Sequence, residues 1–246
     1  MDPGWEDRYL ALQRSTLAEI VERSPPAAAP GATLDPMAAA RAAFDGAIHG
    51  VGRGAPIADL ARDAARWAGR EPRPGAGLDA LHEIVNAQPF VAVPGAREQL
   101  PRLHAEGFRV VVVSNRIGET GSRMRGVLQR LGLAPYLDGW TSSDEVPWAK
   151  PSPEIFGHAP DPLGARADEA VHIGDLAADI EGARSAGLRG AVRFRGARAY
   201  GAEYAASLAT STPVVPPADH ILDDCRGLPA ILASYFPATG RGAISR

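Results

Sequence analysis

The chain has 246 residues, 45% hydrophobic and 22% charged, ordinary values for a folded globular protein. A net charge of −3 gives no chain-wide positive field to hold a nucleic-acid backbone, and the single cysteine, Cys225, excludes an intrachain disulfide or a cysteine-rich zinc site. No basic-then-apolar leader opens the sequence and no apolar run approaches the ~18 residues that span a bilayer, so a cytosolic protein with neither membrane nor nucleic-acid partners is expected.

Residues 5–23 read as a helix, with Leu10, Leu17, Ile20 and Val21 at helical spacing and a stop at Ser24-Pro25-Pro26. The proline-rich stretch 25–31 reads as a linker. Helices follow near 36–49 (Met37, Ala40, Phe44, Ile48) and 56–68 (Ile57, Leu60, Ala64, Trp67), with a shorter one at 78–85. The glycine-rich run 50–54 follows a helix, not a strand, and so lacks the setting of a dinucleotide fingerprint. The texture changes after Pro94-Gly95. A helix near 96–106 leads into the β-branched run 108–113, which suits a strand buried on both faces. Short strands at 139–141, 170–173 and 190–194 alternate with helices near 122–131, 152–158 and 179–186, and an edge strand near 220–224 precedes a closing helix at 228–236. This alternation predicts a doubly wound α/β sheet preceded by an all-helical segment.

Ligands of open α/β sheets bind at the carboxyl ends of the strands. Ser114 and Asn115 stand at one such end, as anion ligands or simply as a turn or helix cap. At another, Gly174-Asp175 and Asp179 place two carboxylates four residues apart. They suit a hard cation such as Mg²⁺, or equally a helix cap and a solvated first turn. Lys150 lies between Trp148 and Pro151-Ser152-Pro153, a setting that fixes a point charge where a phosphoryl group could be neutralised. His172, inside an apolar strand, reads as a satisfied core histidine. Met37 and Met124 read as packing residues, and Trp148 as packing or as a substrate contact beside Lys150. Arg189, Arg193, Arg195 and Arg198 read as a solvated basic face, with a phosphorylated partner as the second reading.

Taken together, Val110–Asn115, Lys150–Phe156 and His172–Ile180 resemble, in order and spacing, the second, third and fourth motifs of the haloacid dehalogenase-like hydrolases. The resemblance is closest over residues 91–236. It implies a Rossmann-like parallel sheet flanked by helices over 91–246, with residues 1–90 as the helical cap. It also implies a Mg²⁺-dependent hydrolase, most often a phosphatase of a small phosphorylated substrate, in which an aspartate attacks phosphorus and water then cleaves the aspartyl-phosphate. By motif position Ser114, Asn115 and Lys150 bind the phosphoryl oxygens, Ser114 and Lys150 belong to the catalytic apparatus, and Asp175 and Asp179 hold Mg²⁺. That metal-binding pair sets the sequence apart from the dehalogenase branch.

The family's first motif, a strand ending in Asp-x-Asp that bears the nucleophile, has no counterpart here. Asp2 and Asp35 each precede a proline without an apolar run before them, and Glu6-Asp7 fall inside the first helix. The reading is therefore of a chain that begins just after that motif. A catalytically inactive relative that binds a phosphorylated ligand or partner is the alternative. The missing strand is central in the family, between the strands ending at Ser114 and Gly174. Its absence leaves backbone groups unpaired at about 1–3 kcal/mol each, a few of which rival a domain's ~5–15 kcal/mol of net stability. The flanking strands pair directly, or Phe90–Val93 fills the gap, or the reading frame is incomplete.

Overall fold

The computed structural model describes residues 5–28, 33–49, 57–71, 90–116, 121–159, 163–196 and 216–237. The expected helix at 78–85, the glycine run 50–54 and Arg198 lie outside them.

Three helices come first: α1 (Trp5–Glu22), α2 (Pro36–His49) and α3 (Ile57–Trp67). Asp35, one of the carboxylates weighed as a first-motif candidate, caps α2 by accepting the N–H groups of Met37 and Ala38 at 3.0 Å each. The helices close on Leu17 and Val21 of α1, Ala39, Ala40 and Ala43 of α2, and Leu60 and Ala64 of α3, all buried. The small residues of α2 let the larger side chains of α1 and α3 approach its backbone. Burying Leu17, Val21 and Leu60 contributes about 1.5–3 kcal/mol each. Met37 and Trp67 depart from expectation: they are 37% and 42% exposed, because the alanines of α2 and α3 already complete the contact. Residues 25–28, expected as linker, are tied to the end of α3 through Ala27 N–H to Gly69 O (2.9 Å) and Glu71 N–H to Pro25 O (2.8 Å).

The second part alternates strands and helices: α4 (Ala96–Ala105), β1 (Val111–Ser114), α5 (Gly121–Arg130), β2 (Gly139–Ser142), α6 (Pro153–His158), β3 (Val171–Gly174), α7 (Ala177–Ser185), β4 (Gly190–Phe194), β5 (His220–Leu222) and α8 (Leu228–Tyr235). All strand pairings between them are parallel, β1 with β2 and β3-β4-β5 in a second group. Strand alternation sorts the side chains onto two faces. Val192 and Leu222 pack with Leu103, Leu228 and Leu232 beneath α4 and α8. Ala191 packs with Ile155, Phe156, Ile180 and Ala183 beneath α6 and α7, and Val113 of β1 joins that cluster. The α/β class is thus as expected.

β1 begins later than expected. Phe108 N–H closes a turn onto Leu103 O (3.0 Å), and Val110 N–H is taken by the Asp138 carboxylate (2.8 Å), which leaves Val110 only its carbonyl to pair, with Asp138 N–H at 2.8 Å. Nor is β1 buried on both faces: its four residues and those of β3 are half-buried throughout. The cause is topological. β1 pairs only with β2 and β3 only with β4 among the described residues, and 90–93 forms no strand. Direct pairing and filling by Phe90–Val93 are therefore both set aside. Among the described residues no helix is long and apolar enough to cross a membrane.

Candidate functional site

The ends of β1 and β3 and the turn before α6 are joined by one chain of hydrogen bonds. Asn115, just past β1, makes a two-way contact with the main chain of Lys150: its Nδ2 donates to Lys150 O at 2.9 Å, and its Oδ1 accepts Lys150 N–H at 2.7 Å. The Lys150 side chain then reaches Asp179 on the first turn of α7, Nζ to Oδ1 at 2.6 Å. Asp179 is 1% exposed, and its second oxygen accepts the N–H groups of Asp175 and Leu176 at 3.1 and 2.9 Å. Those contacts pull the chain into helix at Ala177, two residues before the expected start.

Gly174 makes the approach possible. A Cβ there would lie 2.2 Å from Asp179 Cγ, so any side chain at the end of β3 would evict the carboxylate. His172 sits below it, with Nε2 2.9 Å from Asp179 Oδ1 and its ring edge-on to Phe156 at 4.9 Å between centroids. It is a satisfied histidine, as the sequence suggested. Trp148 likewise packs, against His158 and the cluster under α6 and α7.

The two aspartates are opposite in character. Burial alone would raise the Asp179 carboxyl, but the Lys150 ammonium and the His172 contact outweigh it and hold that group well below the usual carboxylate range. Asp175 is pushed up to about 6, by burial first and then by the Asp179 charge, with Lys150 opposing. The charge of Asp175 is thus only partly offset by its surroundings. Among the described residues, no three His, Cys, Asp or Glu side chains cluster as a metal site.

Ser114 has only long contacts, from its Oγ to Asn115 O and from Arg116 Nη1 to its Oγ, both 3.4 Å, so the hydroxyl is not committed. Two nearby cations were not among the residues expected at the site. Arg116, directly after Ser114-Asn115, has its N–H held by Ser143 Oγ at 2.9 Å, and burial lowers its guanidinium against the pull of Asp144. Its position next to the motif was the available signal. Arg193 lies on β4 in register with Gly174. By the alternation of β4 it shares a face with buried Ala191.

The structure therefore brings Ser114, Asn115, Lys150, Asp175 and Asp179 to one end of the α/β part. The family model for the haloacid dehalogenase-like hydrolases matches residues 16–187. The chain belongs to the haloacid dehalogenase-like hydrolases. Within this hydrolase family it is similar to the pyrophosphatase PpaX of Halalkalibacterium halodurans, 37% identical over 98 residues that cover 40% of this chain and 44% of that protein. It is 36% identical to a ribulose-1,5-bisphosphate 5-phosphatase of Halopiger xanaduensis over 48% of this chain and 49% of the relative. These two matches span less than half the length of either relative. A phosphoglycolate phosphatase of Cupriavidus necator aligns more widely, at 29% identity over 74% of each chain. Among solved structures, a predicted phosphoglycolate phosphatase of Haemophilus somnus shares the hydrolase fold at TM-score 0.57, with 18% identity and 92% of each chain covered.

Proposed function

We propose that this chain forms the phosphoryl- and cation-binding side of a Mg²⁺-dependent phosphatase acting on a small phosphorylated metabolite. The observation that carries this reading is the bonded series Asn115–Lys150–Asp179–Asp175, which fixes one ammonium and one carboxylate without an ion pair at the end of the sheet where Ser114 has only long contacts. In it Ser114 and Lys150 take the transferring phosphoryl oxygens, and Asn115 fastens the Lys150 turn to the end of β1. Asp175 is the outward ligand for Mg²⁺, with Asp179 behind it orienting both the lysine and the turn. The donor set fits that ion, which is held through one or two carboxylates together with substrate phosphate and water. When bound, Mg²⁺ supplies charge neutralisation and orientation of the phosphoryl group. The named relatives are phosphatases of small phosphorylated molecules, which supports the substrate class. Residues 1–90 serve as the cap over residues 91–246.

The nucleophile comes on a strand seated between β1 and β3. Each of these strands has one edge unpaired among the described residues, and each is half-buried although its residues are mostly apolar. The test is a chain extended at its N-terminus by an apolar strand ending in Asp-x-Asp, assayed with an aryl phosphate. Mg²⁺-dependent release of the phenolate is expected, abolished by Lys150→Met. A folded extended protein that binds phosphate yet stays inert across divalent metals overturns the assignment in favour of a non-catalytic binder.

A further inference from the structure

The basic stretch on and around β4 is not uniform. Arg189 donates to Asp168 O at 2.6 Å and lies over the Phe236 ring at 4.9 Å. Arg195 pairs with both oxygens of Asp223, at 2.8 and 2.9 Å. The Arg193 side chain, between them, has no ion pair or hydrogen bond among the described residues, and its Nε is buried without a partner. Strand register fixes where it stands. It is opposite Gly174, and strands in a sheet lie about 4.8 Å apart, so its backbone is one strand away from the turn that carries Asp175. Face parity places its side chain with His172 and Ala191, on the side where α7 presents Asp179. The Arg193 charge is also felt by the Asp175 carboxyl, although the two form no salt bridge.

We propose that Arg193 recognises a second anionic group on the substrate, which makes this chain selective for phosphorylated molecules that carry a further carboxylate or phosphate. The proposal rests on the phosphoryl site assigned above. Lys150 is committed to the transferring group, and Asp175 to the cation. A guanidinium at the flank of that site offers a planar fork for a carboxylate or phosphate and has nothing else to bind. A substrate with one anionic group leaves it unpaired; a substrate with two satisfies it.

The experiment is calorimetric titration of the 246-residue chain in Mg²⁺ with three non-hydrolysable probes: methylphosphonate, phosphonoacetate and methylenediphosphonate. The two probes that carry a second anionic group are expected to bind about tenfold or more tighter than methylphosphonate, the gain of one charge-assisted contact. Their ranking tells carboxylate from phosphate. Arg193→Met should erase that advantage and leave methylphosphonate binding within about twofold, while Arg193→Lys retains part of it. Equal weakening of all three probes by Arg193→Met, or no weakening of any, overturns the proposal. Lys150→Met should weaken all three; if it weakens none, the phosphoryl site itself is misassigned, a failure distinct from that of Arg193. Far-UV circular dichroism of each variant separates loss of binding from loss of fold.

Discussion

Asp175 should cost the folded protein stability, and removing its charge should give that stability back. Its carboxyl is moved from an ordinary 3.8 to about 6, burial being the first cause and the Asp179 charge the second. At about 1.36 kcal/mol for each pH unit, the ionised folded protein is destabilised by up to about 3 kcal/mol. The direction follows from proton counting. Above about pH 6 both folded and unfolded chains carry the charge, and only the folded one bears the penalty. Between about pH 6 and pH 4 the folded chain holds the extra proton, so the penalty fades as pH falls. Asp175→Asn should therefore raise the urea-unfolding free energy by up to about 3 kcal/mol near pH 8 in the presence of a chelator, with the gain shrinking towards pH 4. Mg²⁺ should stabilise the parent and leave the variant almost unmoved. Variant and parent equally stable at pH 8, or a gain that grows on acidification, would refute the argument.

Asp179→Asn should lose about 3–5 kcal/mol, since it strips a buried partner from Lys150, whose side chain is 12% exposed. Combined with Lys150→Met in a double-mutant cycle read by urea unfolding, a coupling of about 0.5–3 kcal/mol is expected. Because Asp179 is held below its usual range, its share of stability is present above about pH 4 and is lost as the pH falls further. Gly174→Ala, whose new methyl would lie 2.2 Å from Asp179 Cγ, should cost about 1–3 kcal/mol in thermal or urea unfolding and weaken phosphate binding with it. Asn115→Ala should lose about 1–3 kcal/mol, because it leaves the Lys150 N–H and C=O without partners; hydrogen exchange at Lys150 should report the loosening directly.

Most of the fold was legible because its signals are local. The periodicity of Leu17 and Val21, the β-branched run ending at Val113 and the break at Pro94-Gly95 each determine an element from a few neighbours in sequence. What was not legible depends on partners far along the chain. The strand expected from Phe108 starts at Val111, where the Asp138 carboxylate, 28 residues from Val110, takes the Val110 N–H and leaves only its carbonyl to pair. Met37 and Trp67 have apolar side chains on helices but stay largely exposed, because alanines elsewhere on α2 and α3 had already closed the contact. In the site, the identity of Ser114, Lys150 and Asp175 could be read from motif order, yet their division of labour could not. Asp179 and Asp175 look alike in sequence. Only the placement of Lys150, His172 and two backbone N–H groups around one of them makes it an internal strut and leaves the other without a direct ion pair. Arg193 was read only as one of a basic stretch for the same reason: among four arginines, its isolation appears only once Arg189 and Arg195 have found partners.

The two-way clamp of Asn115 on Lys150, continued by the Lys150 side chain to Asp179, bridges the two groups of parallel strands, which share no backbone ladder among the described residues. Together with Val113 in the cluster under α6 and α7, it is a seam stitched by side chains across the body of the molecule. Recognition chemistry and mechanical cohesion thus draw on the same few atoms. An anion that docks on Lys150 tightens the seam as it binds, so occupancy should register as a later, sharper melt even where nothing is turned over. Variation that tunes selectivity has its freedom at the flanks, at positions such as Arg193, and little of it along the stitches.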